Sequence, residues 1–437
     1  MNSGGIATGA IVRGGPMQMK NMLNVGTALA SAALLWLAQP AMAAESVVAG
    51  LSAERLDRLD ALLEREIGAG RLSGMVVAVA RHGEVVQRTY GYMNLETREK
   101  MHDDALFRLY SMTKPVASVA LLTLYEQGLF QLTDPLDKYI PQFANLKVYA
   151  GKDASGKPIL EAPKRKPTIQ DAFRHTLGLS GGLGNTDVDA MYREAGLGMF
   201  ELESVSQEVD RLAQVPLRYS PGDQWVYGLG HDVQAYLVEV FSGMNYADYV
   251  QKTIFDPLGM HSTVFGVPPA MKARFATVYT RDADGELVPD TADRYARFTD
   301  HAFGTLSLSG SAPDYLRFAQ MLLNGGELDG VRILGRKTVQ LMSQNHLPPN
   351  IPSIRANGPA ATGYGLGVSV TLSTSALGRP GSVGSFGWGG AATTVFTVDP
   401  AEDMAIVIMG QVLPSDDDLL RKVETLVYQA LVDAPQP

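Results

Sequence analysis

Between residues 52 and 90, the apolar positions change from a helical period to runs that are typical of strands. Residues 53–67 form a predicted helix that begins after Ser52, a residue type that caps helix N-termini. One face of this helix carries Leu56, Leu59, Leu63 and Ile67. The runs 75–81 and 84–90 read as strands joined at His82-Gly83. This part of the sequence therefore predicts a helix followed by a β-hairpin.

The other end of the chain repeats these elements in reverse order. Residues 363–372, 391–398 and 404–411 are predicted strands, and the last two are joined by a polar turn at 399–403. An amphipathic helix over 417–431 is predicted to close the chain. Strands at both ends indicate one antiparallel sheet to which both ends of the chain contribute.

The middle of the chain is predicted to be mostly helical, with helices over 168–176, 231–242 and 312–324. The predicted fold class is therefore α/β of the α+β type: an antiparallel sheet built from both chain ends, flanked by helices, with a mostly helical region inserted. We expect the α/β part to span about residues 44–107 and 300–437, and the helical part about 108–299.

The first residues resemble a secretory signal peptide. Lys20 precedes an apolar run over residues 25–37, and Ala41-Met42-Ala43 supplies small residues at a cleavage site after Ala43. We expect residues 1–43 to be removed and the protein to be exported, either to the periplasm or to the medium. A buried N-terminal helix is the alternative. The run is too short to favour a permanent membrane anchor.

Composition excludes several classes of function. The 437 residues carry a net charge of −9, which does not suit a nucleic-acid partner. Cysteine is absent, so thiol nucleophiles, disulfides and cysteine-ligated metals are excluded. The seven histidines show no His-x-x-x-His spacing. We therefore expect no metal and no cofactor, and the sequence does not indicate an oligomeric state.

Ser111 and Lys114 form the strongest candidate for catalytic chemistry. The segment after them, residues 115–126, is apolar nearly all round, as in a buried central helix, and Pro115 restricts the helix start to this point. A spacing of three residues places the hydroxyl and the amine on one face. Burial and the positive end of the helix both favour a neutral amine, which is able to accept the serine proton. A capping serine and a surface-reaching lysine are an equally good interpretation of this segment alone.

Two further motifs favour the catalytic interpretation. Tyr227 lies in a glycine-bounded loop just before the helix predicted over 231–242. The run Gly387-Trp388-Gly389-Gly390-Ala391 leads into the strand predicted over 391–398, and its glycines permit close approach of another molecule to the backbone.

With these motifs, the sequence resembles the serine β-lactamase and penicillin-binding-protein superfamily, and most closely its family VIII carboxylesterases, which are related to class C β-lactamases. Ser111 and Lys114 match the Ser-x-x-Lys motif. Tyr227 matches the first position of Tyr-x-Asn, but Leu229 replaces the asparagine. The third motif, Lys-Thr-Gly in β-lactamases, stands here as Trp388-Gly389-Gly390, the form seen in the esterases. The resemblance covers about residues 50 to 430.

The resemblance implies a role for each matched residue. Ser111 is the nucleophile that becomes acylated, and Lys114 and Tyr227 are its coupled base. The backbone N–H groups of Ser111 and Ala391 form the oxyanion hole, and Trp388, Gly389 and Gly390 contact the substrate.

The departures from the family pattern bear on the substrate. Trp388 cannot attract the carboxylate of a β-lactam as a lysine would, and Leu229 removes an amide that would bind a polar substrate. We therefore expect a serine carboxylesterase that hydrolyses short-chain acyl esters of small molecules through an acyl-enzyme, with weak β-lactam hydrolysis as a side activity. A class C-like β-lactamase or DD-peptidase is one alternative, and a catalytically silent binding or assembly protein of the same fold is another.

A competing nucleophile is Ser180, because Gly178-Leu179-Ser180-Gly181-Gly182 matches the Gly-x-Ser-x-Gly pattern of α/β-hydrolases. That pattern requires a strand before the serine and a helix after it. Here a helix is predicted before it and a glycine-rich loop after it, so Ser111 remains the better candidate. Tyr219 competes with Tyr227, but its setting in Tyr219-Ser220-Pro221-Gly222 reads as a turn.

Overall fold

A computed structural model describes residues 47–197, 202–291, 295, 298, 301–355 and 358–433 of the chain. The predicted signal peptide, residues 1–43, lies outside these residues. No helix within the described residues is both long and apolar enough to cross a membrane.

An eight-stranded antiparallel sheet is the centre of the fold. Its strands are β1 (Gly74–Arg81), β2 (Glu84–Asn94), β3 (Glu99–Lys100), β4 (Thr362–Tyr364), β5 (Ser369–Thr371), β6 (Phe386–Gly390), β7 (Thr394–Asp399) and β8 (Met404–Met409). Their order across the sheet is β4-β5-β6-β7-β8-β1-β2-β3. The last strand of the chain, β8, pairs directly with β1, so both ends of the chain build one sheet.

The two terminal helices cover one face of this sheet. Helix α1 (Ala53–Gly68) begins at Ser52, whose hydroxyl accepts the Arg55 N–H, and it packs against α5 (Asp417–Tyr428). Their apolar faces and the alternate residues of β1 and β8 form one buried cluster. Because successive strand residues point to opposite faces, the remaining residues of β1 and β8 belong to the core on the other side.

The second face of the sheet carries α4 (Ala312–Leu323) and the helical region. In that region α2 (Thr113–Glu126) packs against α3 (Gly230–Ser242). Residues of α2 are buried on every side from Thr113 to Leu122, as its unbroken apolar pattern predicts. This central helix begins at the strongest candidate for chemistry and fixes its position.

Shorter elements complete the fold. The remaining helices and helical turns are Tyr110–Met112, Leu136–Lys138, Pro141–Asn145, Ile169–Phe173, Asp187–Glu194, Val205–Leu212, Tyr246–Val250, Gln251–Phe255, Asp256–Leu258, Pro269–Arg274, Arg336–Met342 and Thr374–Leu377. The remaining strands are Val47–Val48, Leu51–Ser52, Leu106–Arg108, Val148–Lys152, Pro158–Glu161, Val264–Phe265, Tyr279–Arg281, Leu287–Pro289, Leu308–Ser311, Glu327–Leu328, Val331–Arg332 and Val412–Leu413.

The predicted fold class is confirmed, and two strand predictions are wrong in detail. The run 363–372 is not one strand but the hairpin β4–β5, because Gly367 turns the chain with a φ of +89°. The glycine-rich run before residue 391 is itself a strand, β6, and Ala391 lies in the turn between β6 and β7. Glycine has a low strand propensity, but hydrogen bonds to β5 and β7 on both sides stabilise β6.

Candidate active site

Ser111 lies at the entrance of the central helix. It occupies a single 3-10 turn, Tyr110–Met112, that leads directly into α2. Tyr110 has a φ of +47°, which is a strained value for a residue with a side chain. In this turn Ser111 is half-buried, and its side chain lines a cleft of about 630 Å³.

The amine of Lys114 is fully buried beside this hydroxyl. Lys114 Nζ donates to Ser111 Oγ at 3.1 Å and to the carbonyl oxygen of Thr305 at 2.9 Å. The side chain is 0% exposed, which is unusual for a lysine. The alternative of a surface-reaching lysine is therefore wrong, and the amine is held in place to exchange a proton with Ser111.

Tyr227 approaches the same hydroxyl from a distant part of the chain. Its phenol donates to Ser111 Oγ at 2.5 Å, and Lys114 Nζ lies 4.6 Å from the centre of its ring. The loop that carries it precedes α3 and is fixed where the Val226 N–H donates to the carbonyl oxygen of His175 at 2.8 Å. The three side chains predicted from the sequence thus meet at one oxygen atom.

The end of β6 forms the wall of the cleft next to Ser111. Gly389, Gly390 and Ala391 line the cleft together with Trp388. The Trp388 ring lies 5.9 Å from the Tyr227 ring, measured between centroids. Ala391, whose N–H is predicted to form part of the oxyanion hole, thus lies in the same cleft as the nucleophile.

We expect Gly390→Ala to lower kcat by on the order of 10²-fold. A methyl group at Gly390 would overlap the carbonyl oxygen of Leu109 and the hydroxyl of Thr394, and the backbone oxygen cannot move aside. The strand end and Ala391 would therefore shift away from Ser111. Steady-state kinetics with a p-nitrophenyl ester measure the effect. Gly68→Ala is the matched control, since nothing lies within 4 Å of the added methyl group; equal activity of the two variants would contradict the prediction.

Two buried histidines behind Tyr227 were not identified as a pair from the sequence. The rings of His175 and His231 lie 4.8 Å apart, and His175 is 4.9 Å from the Tyr227 ring. Within the described residues, none of their ring nitrogens has a hydrogen-bond partner. Burial, together with the charge of Lys114, lowers the pKa of His175 well below its ordinary value, and burial does the same for His231. Both imidazoles are therefore neutral, and the His175 ring packs against the Tyr227 ring as an aromatic side chain does.

A buried carboxylate fixes the segment that carries His175. Asp171 accepts hydrogen bonds from Arg165 at 2.6 and 2.8 Å, from the Thr168 N–H at 2.9 Å and from Thr176 Oγ1 at 2.7 Å. Burial raises its pKa, but the hydrogen bonds from Arg165, Thr168 and Thr176 outweigh burial and lower the pKa to about 2. Asp171 is therefore ionised and paired at neutral pH.

We expect Asp171→Ala to destabilise the protein by about 3 kcal/mol at pH 7, because it removes the buried carboxylate that pairs with Arg165 and with the mostly buried Arg174. The pKa of Asp171 is lower in the folded protein than in the unfolded chain, so its contribution is present above about pH 4 and is lost as the pH falls towards 2. Urea unfolding of wild type and variant across this range measures the difference, which should shrink with falling pH. A constant difference would contradict this account.

The other candidates lie elsewhere or have structural roles. Ser180 is buried; its hydroxyl donates to Asp189 and accepts the Gly182 N–H at 3.1 Å. Tyr219 lines a different cleft from Ser111. Leu229, where the family has an asparagine, is buried and does not line the cleft at Ser111. No group of three or more metal-ligating side chains occurs in the part of the chain that the structure describes.

Such a site, on an antiparallel sheet flanked by helices, is that of a serine hydrolase with the β-lactamase-like fold. The chain belongs to the Beta-lactamase family, whose sequence model matches residues 59–429.

Similar proteins agree with this assignment. Protein Rv1367c of Mycobacterium tuberculosis is 30% identical over 370 residues, which cover 82% of this chain and 90% of that protein. Esterase EstB of Burkholderia gladioli is 29% identical over 376 residues, covering 80% and 89% of the two chains. The solved structure of EstCE1, described as a hydrolase with promiscuous acyltransferase activity, superposes with a TM-score of 0.71 at 24% identity, covering 86% of this chain and 98% of that one. The predicted membership of the serine β-lactamase and penicillin-binding-protein superfamily is confirmed.

Proposed function

We propose that the protein is a serine carboxylesterase that hydrolyses short-chain acyl esters through an acyl-enzyme. The observation that carries this proposal is the uncharged aromatic wall beside the nucleophile, where Trp388 and Tyr227 face the same cleft as Ser111. Trp388 stands where a β-lactamase of this superfamily has a lysine. An aromatic surface binds a neutral acyl or alkyl chain by apolar contact. The name of the relative from Burkholderia gladioli supports an ester substrate.

Acylation uses the three groups that meet at Ser111 Oγ. The oxygen attacks the ester carbonyl carbon while its proton passes to the Lys114–Tyr227 pair, which lies 3.1 and 2.5 Å away. Negative charge develops on the carbonyl oxygen, which the N–H groups of Ser111 and Ala391 stabilise. The C–O bond to the alcohol then breaks, and the alcohol leaves with the proton that the pair received.

Deacylation repeats these steps with water as the nucleophile. The Lys114–Tyr227 pair takes a proton from water, the hydroxide attacks the acyl carbon, and the bond to Ser111 Oγ breaks. The proton returns to Ser111 as the acid is released. Because the two basic groups contact one hydroxyl and each other, their protonation states are coupled.

The test compares three substrate classes with the mature protein, residues 44–437. We expect turnover of p-nitrophenyl acetate and butyrate, slow turnover of nitrocefin, and none of a D-Ala-D-Ala peptide. Preference for the peptide would assign the protein to the DD-peptidases, and preference for nitrocefin would assign it to the β-lactamases. Labelling by a fluorophosphonate distinguishes all of these from a silent binding protein, which would remain unlabelled.

We further propose that this activity is exported. The support is the basic, apolar and small-residue order of residues 20–43. N-terminal sequencing of protein recovered outside the cytoplasm should begin at Ala44 or close to it. Recovery of the uncleaved chain from the cytoplasm alone would contradict the proposal.

A further inference from the structure

Two buried carboxyl groups lie behind the catalytic lysine, and the proposed proton transfer does not use them. Asp232 is in the first turn of α3 and is 3% exposed, and Glu208 is on the helix Val205–Leu212 and is 2% exposed. The two helices pack against each other. Burying two acidic groups together is costly, so their presence requires an explanation.

Asp232 is connected to Lys114 through one residue. Its two carboxylate oxygens accept the Thr305 N–H at 2.8 Å and the Thr305 hydroxyl at 2.6 Å. The carbonyl oxygen of Thr305 in turn accepts Lys114 Nζ at 2.9 Å. Asp232 thus fixes the peptide unit on which the amine rests, and the amine lies 3.1 Å from Ser111 Oγ.

Glu208 determines which of the two buried carboxyl groups, its own or that of Asp232, carries a proton. The helices that carry Glu208 and Asp232 pack against each other, and interaction with Asp232 contributes to the raised pKa of Glu208. Two adjacent carboxyl oxygens in a dry interior require a shared proton, since two negative charges repel each other. Asp232 has two donors from Thr305 and the nearby Lys114, whereas Glu208 Oε2 has no hydrogen-bond partner within the described residues. The proton therefore stays on Glu208, and Asp232 carries the charge.

The pKa directions agree with this arrangement. Burial raises the pKa of Asp232 to about 6, and burial with the charge of Asp232 raises the pKa of Glu208 well above its ordinary value. Apart from Lys114, whose charge acts on Asp232, the titratable side chains near the two carboxyl groups are neutral. Burial raises the pKa of Tyr246 and of Tyr192, and burial lowers that of His231.

We propose that Asp232 is a positioning residue of the catalytic centre. It holds Lys114 against Ser111 through Thr305, and its negative charge, which exists because Glu208 keeps the shared proton, stabilises the ammonium group formed when Lys114 accepts the serine proton. In that step the Ser111 O–H bond breaks and an N–H bond forms on Lys114, while Asp232 and Glu208 exchange no proton with the substrate. The inference rests on the proposed role of Lys114 as part of the base.

This arrangement gives the reaction a defined pH dependence. Below the pKa of Asp232 the carboxylate is protonated, the ammonium group loses its stabilising charge, and acylation slows. The rate therefore rises as the pH increases through about 6. The rate of Ser111 labelling by a fluorophosphonate reports this dependence directly, and it remains measurable if the natural substrate is not an ester.

The experiment measures labelling rate, kcat and KM from pH 5 to 9 for wild type, Asp232→Asn, Glu208→Gln and Glu208→Leu. Asp232→Asn should lower kcat and the labelling rate by on the order of 10²-fold and leave KM within about twofold. It should also remove the acid limb, which is the fall in rate as the pH decreases through the pKa of Asp232. Glu208→Gln keeps a donor towards Asp232 and should retain the wild-type profile. Glu208→Leu removes that donor and should move the acid limb to higher pH by about one unit.

Three outcomes would overturn the inference: an acid limb that persists in Asp232→Asn, a loss confined to KM, or identical profiles for the two Glu208 variants. Thermal unfolding shows whether each variant is folded. If Asp232→Asn does not fold, the comparison of Glu208→Gln with Glu208→Leu decides, because both retain Asp232. Absence of ester turnover with the predicted labelling profile would reject the proposed substrate class and support the role of Asp232.

Discussion

Replacing Ser111 with alanine is expected to lower ester turnover by on the order of 10⁵-fold or more. The substitution removes the oxygen atom to which both Lys114 and Tyr227 donate hydrogen bonds, so no acyl-enzyme forms. Lys114 keeps its hydrogen bond to Thr305, and the fold should be retained. The measurement is the initial rate with p-nitrophenyl butyrate. Mass spectrometry of the wild-type protein trapped with substrate should find the acyl group on the peptide that contains Ser111.

Ser180→Ala is the matched control for this prediction. Its hydroxyl is buried and bonded to Asp189, so its loss costs about 1–3 kcal/mol of stability. Turnover per folded molecule should nevertheless stay close to that of the wild type. Full activity of Ser111→Ala combined with loss of activity in Ser180→Ala would reject the assignment of the nucleophile.

Lys114→Met is expected to lower kcat by about 10²–10⁴-fold. Methionine fills a similar volume in the buried site but cannot accept the proton from Ser111, and it leaves the carbonyl oxygen of Thr305 without its donor. Tyr227→Phe should cause a loss of similar size, since the phenol donates to the same oxygen. Steady-state kinetics of both variants, with near-ultraviolet circular dichroism to confirm packing, measure these effects.

The double variant tests whether Lys114 and Tyr227 act as one base. Groups that act as a unit are strongly non-additive, so the double variant should be little worse than the poorer single variant. If the two losses multiply instead, the lysine and the tyrosine act in separate steps. Lys138→Met, which removes an exposed lysine paired with Asp134, should leave the rate unchanged.

Local patterns in the sequence were sufficient to predict much of the fold and the catalytic group. The spacing of Ser111 and Lys114 at the start of an apolar helix placed both side chains on one face, as the structure has them. Strand patterns at both chain ends predicted the shared sheet. The hairpin β4–β5 was missed although Gly365 and Gly367 interrupt the apolar run, because glycine alone does not distinguish a turn from a bulge.

The residues behind Lys114 and Tyr227 were not predictable in the same way. Thr305 contributes a backbone carbonyl, which every residue possesses, so no side-chain pattern marks it. Asp232 and Glu208 lie on helices whose apolar periods do not reveal that their polar positions face each other. His175 and His231 are 56 positions apart and meet only through packing of the loop before α3. These contacts arise from tertiary packing, which no local pattern in the sequence encodes.

Because β8 pairs with β1, the central sheet is completed only late in the synthesis of the chain. A ribosome has completed about nine-tenths of the polypeptide before it synthesises residues 404–409, and until then the two halves of the sheet have no strand to join them. In a nascent chain that lacks β8, the sheet therefore does not yet hold β6 beside the nucleophile, and we expect such a chain to be inactive. Deletion of residues 404–437, which removes β8 and α5, should accordingly produce an inactive, protease-sensitive product rather than a weaker enzyme.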